Sequence, residues 1–127
     1  MPANIRIVHA HDFIKATPEG KLDLEESKKL LIEIASASAP LVDYDVVLDT
    51  RQTQSRMSVT DLWYLAAEVS DNFRKTFSRN VKTAVLCPLE QFDHTEFFAL
   101  CAQNRGFQVG AFTSPAEAYE WLMEKRT

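Results

Sequence analysis

Apolar and polar positions change their period several times along this 127-residue chain, and each change marks an element. Ile5-Arg6-Ile7-Val8 and Phe13-Ile14-Lys15-Ala16-Thr17 are short runs rich in apolar and β-branched residues, and Pro18-Glu19-Gly20 stops the second. Only His9 to Asp12 separate the two. A parallel pair needs a longer crossover, so these strands are expected to form an antiparallel hairpin. From Leu24 the period becomes helical, with Leu24, Leu31, Ile34 and Ala35 on one face and Lys28, Lys29 and Glu33 on others. Asp23 followed by Glu26 is a capping-box start, and Ser36 to Pro40 is expected to end the helix. Asp45-Val46-Val47-Leu48-Asp49 then reads as a central parallel strand, because it is short, continuous and β-branched.

The remainder repeats this alternation. After a polar loop from Thr50 to Met57, Ser58 with Asp61 opens a second helix whose stripe is Leu62, Leu65, Ala66, Val69 and Phe73. Thr83-Ala84-Val85-Leu86-Cys87 is another buried strand, ended by Pro88. Asp93 with Glu96 is expected to cap a third helix that turns Phe97, Leu100 and Cys101 inward, and Gly106 stands where a C-terminal glycine belongs. Phe107 to Phe112 is the last strand. Ser114-Pro115-Ala116-Glu117 joins a cap residue, a proline at the first helical position and a capping glutamate, and Ala118, Trp121 and Leu122 pack the final helix down. The order ββαβαβαβα predicts an α/β fold with a largely parallel sheet and helices on its faces. The length suits one domain, and no repeat or linker divides it.

Composition narrows the function classes. Apolar residues make up 46% and charged residues 25%, which supports a core without disulfides or metal. The net charge of −4 lacks the basic excess that non-specific nucleic-acid binding needs, so no nucleic-acid partner is expected. No stretch approaches the ~20 apolar residues of a membrane span, and Met1 to Arg6 contain no apolar signal region; a cytoplasmic location is expected. Cys87 and Cys101 lie in apolar runs, where they read as reduced core thiols rather than nucleophiles. With three glycines, neither a Walker loop nor a dinucleotide fingerprint can be written, and there is no Gly-x-Ser-x-Gly elbow. No catalytic residue and no cofactor are expected.

Candidate chemistry gathers after the central strand. Asp49, Thr50, Arg51, Ser55 and Ser58 lie beyond its carboxyl end, where open α/β sheets bind ligands, and lead into a helix N-terminus that favours anions. The plainer alternative is a solvated loop in which Ser58 caps the helix. His9 and His11 alternate and would share a strand face, and Asp12 with Asp93-His94 extends the set. No spacing motif joins these residues, so no metal site is expected. Trp63, Tyr64, Phe73 and Phe77 surround the second helix, and Trp63 falls off its stripe beside Ala67 and Ser70. Trp63, Tyr64 and Ala67 therefore belong either to a wide buried face or to a second surface, as a homodimer contact or the wall of an apolar pocket.

Two segments, Asp45-Val46-Val47-Leu48-Asp49-Thr50-Arg51 and Phe112-Thr113-Ser114-Pro115-Ala116-Glu117-Ala118-Tyr119-Glu120-Trp121-Leu122, together with the element order, resemble the SpoIIAA-like branch of the STAS superfamily, proteins similar to anti-sigma-factor antagonists. The order matches over nearly the whole chain. The resemblance implies a five-stranded, mostly parallel sheet with an antiparallel first strand at one edge, about four helices, and a regulatory or binding role. It also implies a phosphorylated serine at the start of the second helix, within Asp-Ser-x-Gly. Ser58 stands at that place, but Arg56-Met57-Ser58-Val59 has neither the aspartate nor the glycine. Three functions follow as expectations: a non-enzymatic module binding a protein partner or itself through the second helix; a carrier or sensor of a small apolar or anionic ligand, with its pocket between that helix and the strand ends; and a small enzyme using Asp49, Arg51 and a histidine.

Overall fold

The β-branched runs pair into one mixed sheet of five strands. A computed structural model describes residues 4–8, 11–41, 43–72 and 81–124. Strand β1 (Asn4–Val8) pairs antiparallel with β2 (Phe13–Thr17), and Asp12 takes the left-handed conformation between them at φ 55°. Helix α1 (Leu24–Ser38) follows a short strand β3 (Gly20–Leu22). Strand β4 (Asp45–Asp49) is separated by β5 (Thr53–Ser55) from helix α2 (Val59–Asn72). Strand β6 (Lys82–Leu86) leads to helix α3 (Phe92–Gln103), and strand β7 (Gln108–Phe112) to helix α4 (Pro115–Met123). The sheet order is β1-β2-β4-β6-β7, with every neighbour after β1 parallel.

The period of two sends alternate side chains to opposite faces. On one face Ala16, Val46, Val85 and Val109 pack against Leu30, Leu31 and Ile34 of α1, Leu65 of α2, and Ala99 and Ala102 of α3. On the other face Phe13, Val47, Ala84 and Leu86 meet Ala118, Tyr119, Trp121 and Leu122 of α4. Three helices thus cover one face, while α4 lies on the other.

Four local features depart from the sequence reading. Strands β3 and β5 form a separate parallel ribbon, with Gly20 opposite Thr53 and Leu22 opposite Ser55. Each has three residues of mixed polarity (Gly-Lys-Leu and Thr-Gln-Ser), too few for a period of two to be read. The expected loop from Thr50 to Met57 therefore contains a strand. Helix α3 starts one residue before Asp93, after a 3₁₀ turn at Leu89–Gln91, so Asp93 is not its cap. Its buried residues are Ala99 and Ala102, and Leu100 is 51% exposed. A helix apolar on nearly all sides gives no periodic signal of which side faces in. Ser114 occupies the cap position of α4, but its side chain makes no capping bond.

Gly106 does close α3 at φ 94°, with Phe107 N–H donating to Ala102 O (3.1 Å) and Gly106 N–H to Gln103 O (3.0 Å), the paired bonds of a Schellman end. His9, Phe73, Phe77 and the side chain of Val69 lie outside the described residues. Among the described residues no helix is long and apolar enough to cross a membrane.

Candidate functional site

The polar loop after β4 does not form one site. Strand alternation carries Asp49 toward the α4 side, the side of Val47, while Thr50 lies over the α1–α3 side. Asp49 is held by its neighbour: Arg51 Nε donates to Oδ1 (2.9 Å), Nη2 to Oδ2 (2.8 Å) and the Arg51 backbone N–H to Oδ1 (3.1 Å). These bonds from Arg51 keep the Asp49 carboxyl below its ordinary range against the opposing effect of burial, and the charge of Lys15 adds to them. Such a carboxylate accepts from both tines of a guanidinium and is a poor general base.

The histidines do not join this pair. Phe13 is in register with Asp45, four residues before Asp49, so His11 stands more than about 13 Å from Asp49 along the strands. His94 lines the opposite side of the sheet. The convergence of Asp49, Arg51 and a histidine that an enzyme reading requires does not occur among the described residues. Nor do three or more His, Cys, Asp or Glu side chains gather there as a metal set.

On the α1–α3 side the strand ends are tied together. Thr50 Oγ1 and N–H both donate to Leu86 O at 2.7 Å, and Thr53 donates to Thr50 O through Oγ1 (2.7 Å) and N–H (3.0 Å). Arg56 N–H reaches Leu22 O (2.8 Å) and Met57 N–H reaches Ser55 Oγ (3.4 Å), which fixes the approach to α2. Beneath this frame is a cavity of about 100 Å³. Leucines of α1, Leu62 and Leu65 of α2, Phe98 of α3, Val85 of β6 and Phe107 wall it; its polar lining includes Thr50, Thr53, Ser55, Gln91, His94 and Thr95. An engineered apolar cavity of roughly 150 Å³ takes up benzene, so this one is of the size for a small organic group.

Ser27 is a wall residue that does not belong to the apolar set Leu24, Leu31, Ile34 and Ala35. It is 4% exposed and its hydroxyl donates to Met57 Sδ at 3.5 Å. A signal was present, since Ser27 is three residues after Leu24 and four before Leu31, on the stripe read as apolar.

The remaining candidates lie around α2. Ser58 is exposed and caps the helix: its N–H donates to Asp61 Oδ2 and its Oγ accepts from Asp61 N–H, both at 3.1 Å. Trp63 and Tyr64 are 47% and 53% exposed, edge to face with centroids 5.4 Å apart, and Ala67 beside them is half-buried. The Arg105 guanidinium lies over the Trp63 ring at 5.4 Å. The two aromatics thus occupy the outer side of a helix whose inner side walls the cavity. Both cysteines are free, and burial, followed by the Glu90 charge, pushes the Cys87 thiol up against the opposing hydrogen bond with Thr95.

Neither a family model nor a curated protein matches the chain. A solved structure does: the crystal structure of an uncharacterized protein from the DUF3478 family of Shewanella loihica PV-4, described as having a SpoIIAA-like fold. The two share 16% identity over 94% of this chain and 91% of that one, with a TM-score of 0.56. At that identity the likeness speaks for the fold, and the chain has a SpoIIAA-like fold.

Proposed function

We propose that this domain is a non-catalytic regulatory module that takes a small, largely apolar ligand into the cavity beneath α2 and meets a protein partner, or a second copy of itself, through the outer face of α2. The observation carrying this reading is the double role of one helix, with Leu62 and Leu65 against the cavity and Trp63 and Tyr64 facing out. A ligand that repacks the inner side would shift the outer one, because packed interiors move as units. The SpoIIAA-like fold suits such a role. The absence of catalysis rests on the closed Asp49–Arg51 pair and its separation from His94 by the sheet. The free thiols suit the cytoplasm.

Native mass spectrometry of freshly purified protein should show a small adduct that is lost on denaturation. A ligand at 100 times its Kd should add about 2.7 kcal/mol of stability. Trp63→Asp should keep the adduct and abolish partner binding or self-association measured by light scattering. An unliganded protein whose melting is unmoved by small apolar compounds would refute the cavity reading. An unchanged solution mass and unchanged partner capture in Trp63→Asp would refute the surface reading.

A further inference from the structure

The polar atoms of the cavity wall say which ligand chemistry it accepts, given that the cavity is a ligand site as proposed above. No Lys, Arg, Asp or Glu is among the described residues lining the cavity, and His94 at its polar edge is exposed. An ionised ligand group would therefore lose its hydration without gaining a counter-charge from a Lys, Arg, Asp or Glu side chain, a penalty that attraction within the cavity does not repay. This argues against the anionic ligand that the sequence suggested.

The Thr50, Thr53 and Thr95 hydroxyls already give their protons to the carbonyls of Leu86, Thr50 and Gln91 at 2.7, 2.7 and 3.1 Å. Each hydroxyl has one proton, so toward a ligand these three offer lone pairs and no donor. Ser27 is the opposite case. Its proton goes to the Met57 thioether, a weak acceptor, at 3.5 Å. A ligand oxygen is a better acceptor than sulfur and would displace it. Ser27 is thus a buried donor held by a weak acceptor, and the three threonines present acceptors, while Ser55, Thr83, Gln91, His94 and Gln108 carry further donors at less buried positions.

We infer that the cavity selects an uncharged hydroxyl compound, a small alcohol or phenol, whose oxygen accepts from Ser27 and whose proton goes to a threonine lone pair. A hydrocarbon fills the space and leaves Ser27 on sulfur. A carboxylate accepts and cannot donate, and an ammonium donates and cannot accept; both bring a charge that the wall does not match.

The test uses three probes of similar ring size: phenol, toluene and benzoate, titrated into ¹⁵N-labelled full-length protein near neutral pH and followed by amide shifts of the cavity residues. Phenol and toluene should both bind, and benzoate should bind at least 100-fold more weakly than phenol. Ser27→Ala should weaken phenol by about threefold to tenfold, the worth of one net hydrogen bond, and leave toluene unchanged. Ser27→Cys, of similar shape but a poor donor, should behave like Ser27→Ala; a fold disturbed in either variant would show in its toluene affinity. Benzoate binding as tightly as phenol, or a Ser27→Ala effect equal for phenol and toluene, overturns the hydroxyl selectivity and leaves the cavity as a site. Failure of all three probes overturns the cavity reading and this inference with it.

Discussion

Replacing Lys82 by Met removes a charge from the interior while keeping an unbranched chain of similar length. Lys82 is 5% exposed, and its ammonium donates to Trp121 O at 2.8 Å and Glu124 O at 3.3 Å, at the end of α4. It also lies 5.2 Å from the centroid of the Trp121 ring. The last carbonyls of a helix have no partner within it and carry its negative pole, so a cation there satisfies both needs. Hydrogen bonds from a charged donor are worth about 1.5–3 kcal/mol each, the longer of these two falling at or below the low end. Removing a buried ammonium also relieves its dehydration cost, which offsets part of the loss. The net destabilisation is about 2 kcal/mol. For 127 residues, an unfolding entropy of about 2.1 cal/mol/K per residue converts this to a fall in Tm of about 7 °C. The loss should be local in origin. Helix α4 has nine residues, too few to persist undocked, whereas the backbone N–H of residue 82 keeps its 2.9 Å bond to Asp45 Oδ1. Urea unfolding followed by tryptophan emission gives the free energy, and amide exchange gives the location. A Lys82→Met midpoint corresponding to a change under about 0.5 kcal/mol, or exchange that accelerates everywhere except in α4, would refute this role of Lys82.

Two further outcomes follow from the same face of the sheet. A Cβ on Gly110 would stand 2.8 Å from Phe112 Cε2 and 3.5 Å from Trp121 Cη2, so Gly110→Ala must displace the Phe112 ring and should cost about 1–3 kcal/mol; a variant as stable as the parent would show the ring has room to move. Asp49 has a folded pKa below its ordinary 3.8, so its contribution is complete above that value and disappears as pH falls through the lower, folded value. Wild-type stability should therefore drop more steeply below pH 3.8 than that of Asp49→Asn, and parallel urea midpoints for the two across that range would refute the role of the Arg51 pair.

The parts of this fold that could be read were those where one side chain type recurs at the period of its element. Strands Phe13–Thr17 and Asp45–Asp49 lie where their β-branched runs place them, and Ser58 with Asp61 forms the expected reciprocal cap. Helix α3 could not be oriented, because Phe97, Phe98, Leu100 and Cys101 surround its axis with apolar choices. The candidate loop is legible in content but not in arrangement. Nearness in sequence groups Asp49 and Arg51 with Thr50 and Ser55, although a strand that sends Leu48 to one face and Val47 to the other already separates Thr50 from Asp49.

The sequence suggests a pocket between α2 and the strand ends but not which side chains wall the cavity, since a void is a difference between the space the elements enclose and the volume their side chains fill. Ser27 is the exception, a hydroxyl on a stripe otherwise made for burial. A polar group is kept in such a place at a cost unless something accepts its proton, and a thioether answers that need weakly. The separation by the sheet then has a practical consequence. Changes at Asp49, Lys82 or Gly110 should alter the stability of the α4 side and leave ligand selection intact, whereas Ser27→Ala should do the reverse. A protein in which both sets of changes moved both properties together would have one site extending through its sheet, which the packing of Val47, Ala84 and Leu86 leaves no room for.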